Sequence, residues 1–244
     1  MIAHSWTAAS DERQMTDATP SSSGAPHAAE DLKAHLKDRR HSSEWLFQTY
    51  VLQKRAHIFC TEVDGYATEM EFRQDIAGIM GLTIHEVNIV GSAQVGFSVK
   101  PGAKLRKVDD LYEKTKRIED RSDVDVAIVS PTCFEKIQSD LASFTNGFRT
   151  DWQYNAFYPD ATRMQKMDVK RVDHHFYRYL ARGWIRPDFA PDAFKFSFEL
   201  ARDKWAKKLK RKVSFAIYRD WAVLKDYQSR AFDTLRELAI KDQL

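Results

Sequence analysis

The run Asp123-Val-Asp-Val-Ala-Ile-Val129 constrains this chain more than any other stretch, because it opens on two acids and ends fully apolar. An apolar run of this length, rich in β-branched residues and stopped by Pro131, predicts a core strand whose acidic end lies at a sheet edge or cleft. Residues two apart on a strand project from one face, so the Asp123 and Asp125 carboxylates are expected side by side. Like charges so placed cost stability unless a cation or a partner compensates. The pair is therefore either a solvated strand end or a place for divalent metal. Magnesium takes hard oxygen ligands and is commonly held by one or two carboxylates together with substrate phosphates.

A second strand is expected at Val87-Asn-Ile-Val90, a short β-branched run that ends in Gly91-Ser92. The segment Gly91-Ser-Ala-Gln-Val-Gly-Phe-Ser98 then carries the chain through a small-residue turn toward a helix. Such a turn leaves backbone N–H groups and two hydroxyls where a triphosphate can be received. Ordinary turns use the same residues, so the Gly-Ser pair alone does not decide the matter.

Together the two segments form a pattern of Gly-Ser after one strand, then Gly-Phe-Ser, then Ser-Asp-Val-Asp-Val opening the next. This resembles the DNA polymerase beta-like nucleotidyltransferase superfamily, including bacterial minimal-type enzymes and cyclic-oligonucleotide synthases, over about Val87 to Val129. The resemblance implies an α+β fold, a nucleotidyltransferase palm with a small mixed sheet flanked by helices, and a helical C-terminal region. It implies that Gly91 and Ser92 contact the nucleotide phosphates with Ser98 assisting, and that Asp123 and Asp125 are catalytic and ligate Mg2+, with Mn2+ as an alternative. It also implies a third carboxylate on a later strand. The best later strand, Lys212 to Tyr218, contains no acid, which leaves Asp220, Glu199 and Asp188 as candidates. Asp220 is equally suited to cap the helix that follows it, and Glu199 stands where an alternating strand or a helix is possible.

The remaining sequence is read around this centre. Residues 1–40, rich in small and polar side chains, are expected to form a flexible tail, although a short helix is possible near Ala28 to Lys37. Residues 41–150 are assigned to the palm core, with two helices before the first strand and a charged surface loop inserted at 101–121. Residues 151–244 are assigned to a helical, aromatic-rich region holding the strand at 212–218 and a terminal amphipathic helix over Trp221 to Ile240.

Net charge is only +3, so any polyanion binding must be local. Lys204, Lys207, Lys208, Lys210, Arg211 and Lys212 gather beside Trp205, either as a solvated helix face or as a contact for triphosphate or nucleic acid. His174-His175 suits surface or packing roles better than metal binding, and aromatics such as Trp152, Tyr158 and Trp184 suit a core, one or two of them a base pocket. Cys60 and Cys133 lack zinc or disulfide spacing. No apolar run is long enough for a membrane helix, and the N-terminus lacks a secretory pattern, so a cytoplasmic location is expected.

The functional expectation is transfer of a nucleoside monophosphate from a nucleoside triphosphate to a hydroxyl acceptor, with pyrophosphate released. The acceptor is left open among a nucleotide, a protein, RNA and a small molecule. By analogy with the resembled enzymes, a role in phage defence or stress signalling is expected. The alternative is a degenerate module that retains the palm and binds nucleotides or a partner without turnover.

Overall fold

A computed structural model describes residues 29–53, 55–60, 65–144, 147, 179–187, 199–241 and 243. Its centre is a mixed four-stranded sheet of β1 (Val87–Val90), β2 (Val124–Val129), β3 (Trp184–Ile185) and β4 (Val213–Tyr218), in the spatial order β1-β2-β4-β3. The pairings β1 to β2 and β3 to β4 are antiparallel, and β2 to β4 is parallel. Both faces of β2 are buried. Val124, Val126 and Ile128 belong to one hydrophobic cluster, and Ala127 and Val129 to another on the opposite face. Burial on two sides is why the strand reads as a continuous apolar run rather than an alternating one.

Helices cover each face, which makes the fold α+β. On the Val124 face lie α3 (His57–Cys60), α4 (Gly65–Met80), α7 (Pro131–Phe144) and α8 (Glu199–Leu209). On the Ala127 face lie α1 (Ala29–Lys37), α2 (Ser43–Phe47), which continues as one π-turn through Leu52, and the terminal α9 (Trp221–Ile240). The short α5 (Gly91–Val95) follows β1 directly and contributes Ala93 to one cluster and Val95 to the other. Pro131 both ends the strand segment and occupies the first position of α7, where its missing N–H costs nothing. Arg73 of α4 donates to the Val87 carbonyl at 2.9 Å and to the buried Glu69 carboxylate at 2.8 Å, tying helix to strand. None of these helices is long and apolar enough to cross a membrane.

Several elements differ from the sequence expectation. The assigned tail contains α1, whose Leu32 and Leu36 are fully buried against α9, so the ordered fold begins by residue 29. Their four-residue spacing puts both on one helical face, and that face finds its partner at the far end of the chain. Asp123 lies one residue ahead of β2 rather than inside it. The charged stretch 101–121 carries α6 (Asp110–Thr115) and two 3-10 turns, and it buries Leu105 in the second cluster. Its end is clamped, because Asp109 accepts from the Ser122 backbone at 2.9 Å and from the Arg211 guanidinium at 2.6 Å.

Candidate active site

Strand register brings the two sequence landmarks together. Val90 pairs with Asp125, so the turn that leaves β1 passes directly beside that acid. Gly91 has φ +70°, and a Cβ placed on it would lie 2.9 Å from Asp125 Oδ2. Both the left-handed backbone and the close approach require glycine here. Asp125 also pairs with Ser214 across the parallel ladder, and the Ser214 hydroxyl donates to Asp125 Oδ1 at 2.5 Å. One carboxylate oxygen thus faces the Gly91 turn and the other is held by β4.

Asp123 sits at the mouth of the same row. The Val124 N–H donates to the Lys212 carbonyl at 2.8 Å, which sets Asp123 opposite Lys212. Lys212 Nζ lies 3.7 Å from Asp123 Oδ2, and both side chains are exposed. Across this face the sheet runs from Asp123 and Lys212, through Asp125 and Ser214, to Ala127 and Ala216, and then to Val129 and Tyr218. Polarity therefore falls along the strands from an open, charged end to a sealed apolar one. The Tyr218 phenol at that end is raised above the usual tyrosine range first by burial and further by the charges of Tyr227 and Asp125.

Ser92 is half-buried in the first turn of α5. That helix has only five residues and ends at Gly96, whose φ is +92°. So short a helix has little macrodipole, and any anion affinity of the turn rests on its own N–H groups. Ser98 follows α5, on a segment where Phe97 is bridged to Lys107. Its N–H donates to the Arg106 carbonyl at 2.8 Å, and its hydroxyl accepts from Lys100 at 3.3 Å.

Of the candidates for a third acid, the two among the described residues, Asp220 and Glu199, are placed elsewhere. Asp220 caps α9, accepting from the Val223 N–H at 2.9 Å and from Arg219 Nε at 2.9 Å. Glu199 is the first residue of a helix packed against the opposite face of the sheet, not part of an alternating strand. Asp188 lies outside the described residues, as do His174, His175, Trp152 and Tyr158. Among the described residues no three of His, Cys, Asp and Glu gather into a group able to hold a metal ion by themselves. The donors present are two carboxylates, a set that suits magnesium when phosphate oxygens and water complete its shell.

The basic cluster is largely engaged within the fold. Lys204 contacts Asp75, whose carboxyl is lowered chiefly by that hydrogen bond, and Lys208 reaches Glu71 at 2.7 Å. Trp205 is buried and donates its indole N–H to Asp75 at 3.0 Å.

Sequence reasoning alone could not find Ser214, because its place beside Asp125 depends on the parallel register of strands 89 residues apart. No family model, curated protein or solved structure matches the chain.

Proposed function

We propose that this chain is a magnesium-dependent nucleotidyltransferase with a palm of the DNA polymerase beta type. The observation that carries this reading is the close approach of the Gly91 backbone to Asp125, which brings the Gly-Ser turn beside that acid. Asp123 and Asp125 would hold the metal, and the N–H groups of Gly91 and Ser92 would cradle the β- and γ-phosphates. Lys212, exposed beside Asp123, can turn its ammonium from that carboxylate to a phosphate oxygen. Magnesium supplies charge neutralisation at the attacking and leaving oxygens. The acceptor oxygen forms a bond to the α-phosphorus as the bond to the pyrophosphate oxygen breaks, and the hydroxyl proton passes to water. The protein's contribution is to align and neutralise charge.

A second reading is favoured by Ser214. It is the residue that the later strand β4 sets beside Asp125, and a hydroxyl there is a poor substitute for the third carboxylate that the resemblance implies on a later strand. On this reading the chain binds magnesium and nucleotide without turnover. Incubation with labelled nucleoside triphosphates and magnesium, across nucleotide, RNA and protein acceptors, separates the two. Pyrophosphate release that is abolished in the Asp123→Ala, Asp125→Ala double variant supports the enzyme. Magnesium-dependent binding without release supports the binding module, and no magnesium-dependent binding at all defeats both.

A further inference from the structure

Next to the sheet's sealed end lies a cavity of about 530 Å³ that the acid pair does not use. That volume is typical of a site for a small organic ligand. The turn before β3 contributes Arg182 and Trp184 to its floor, and Gly183 between them has φ +86°, where a Cβ would lie 3.0 Å from Val223 and 3.5 Å from Arg219. Arg219 donates its backbone N–H to the Gly183 carbonyl at 2.8 Å, which holds this floor against the start of α9. One wall is aromatic. Trp184 is buried, with its ring centroid 4.1 Å from Tyr179 and 4.9 Å from Tyr227. Tyr227, one of the large apolar residues that α9 leaves exposed, is 46% exposed and lines the cavity.

The cations of this cavity differ in how they are engaged. Arg219 pairs with Asp220 at 2.9 Å, and Arg230 pairs with Asp226 at 2.5 Å. Among the described residues no carboxylate pairs with Arg182, which is exposed on the turn after Tyr179 and lines the same cavity. The α9 N-terminus is not the source of positive potential here, because the Asp220 side chain already caps it. What remains is the partly exposed Tyr227 ring and the exposed Arg182 guanidinium, which has no carboxylate partner among the described residues. An aromatic face attracts a planar ring, and a guanidinium binds a phosphate through two parallel hydrogen bonds.

We propose that this cavity binds a planar aromatic ring carrying one phosphate, the chemistry of a mononucleotide, with the ring on Tyr227 and the phosphate on Arg182. The site needs no metal, so it stands or falls separately from the chemistry assigned to Asp123 and Asp125.

Equilibrium dialysis of the full chain against labelled adenosine monophosphate, in EDTA, tests it. The expected result is saturable binding that both adenosine and inorganic phosphate displace at higher concentration. Arg182→Ala and Tyr227→Ala should each weaken it about tenfold, the scale of one lost charge-assisted or stacking contact, while Tyr227→Phe retains it. Arg182 is exposed, so its variant keeps the test decisive even if Tyr227→Ala fails to fold. Absence of saturation up to about 1 mM, the weak end of specific recognition, overturns the proposal. So does binding indifferent to Arg182→Ala, or displacement by phosphate but not at all by adenosine.

Discussion

Gly91 is where backbone conformation and site chemistry meet. A side chain there must enter the left-handed region at φ +70° and approach Asp125 Oδ2 to 2.9 Å. Gly91→Ala is expected to lower unfolding stability by about 1–2 kcal/mol from the backbone alone and to displace the acid. Urea unfolding alongside magnesium-nucleotide titration measures both effects. An unchanged midpoint with unchanged binding contradicts the arrangement. Ser214 makes a complementary prediction. Ser214→Asp sets a second carboxylate beside Asp125, so the metal-free protein should melt at a lower temperature than the parent and regain more of that loss with magnesium. If added magnesium shifts parent and variant equally, Asp125 and Ser214 do not border a metal site.

The elements are held by contacts that sequence periodicity does not register. α1 is visible as a helical pattern, but its docking on α9 joins the two ends of the described chain, and only the fold makes Leu36 a core residue. Leu36→Ala should cost about 2–5 kcal/mol, the usual range for a buried leucine. A loss under half a kilocalorie would return the helix to the status of a tail.

The strands β2 and β4 are legible in sequence because four of the six residues in each are β-branched or aromatic. β3, with two residues, has no period to detect. The Asp109 clamp is equally invisible, since Ser122 and Arg211 reach it from different segments. It gives the fold an acid-sensitive joint. Burial alone would raise the Asp109 carboxyl, but hydrogen bonds from Arg211 and Ser122 outweigh it, and the net shift is downward. Its contribution is complete above the unfolded value of about 3.9 and is lost as pH falls through the lower folded value. Nearby His57 has its Nδ1 buried without a hydrogen bond against Gly96, and burial lowers its folded pKa. The unfolded chain therefore takes up the proton first, and stability declines as pH drops below about 6.5. Stability measured from pH 8 to pH 3 should fall in two windows, the lower one diminished by Asp109→Asn but not abolished, because the Asp75, Glu86 and Asp220 carboxyls are lowered in the fold as well. A profile flat from pH 7 to 5 contradicts the assignment to His57.

At the scale of the whole molecule, the chain places an acid pair, a glycine turn and an aromatic cavity along one face of a small mixed sheet. The first two are legible from Gly91-Ser92 and Asp123-Val-Asp125, whose residue types and strand context are local. The occupant of the position beside Asp125, the engagement of Lys204 and Lys208 with α4, and the grouping of Trp184 with Tyr227 all depend on long-range register. Net charge near neutrality, with those lysines paired inside the fold, directs attention to this face rather than to the basic cluster.

Asp123 and Asp125 are proposed to act together on a nucleoside triphosphate. Pyrophosphate release from a mixture of the four ribonucleoside triphosphates, followed with and without magnesium in the parent and in Asp125→Ala, tests it most directly. The expected result is magnesium-dependent release that falls by at least about a hundredfold in the variant, the loss that follows when a group stabilising transition-state charge is removed. Release of equal rate in parent and variant would contradict it.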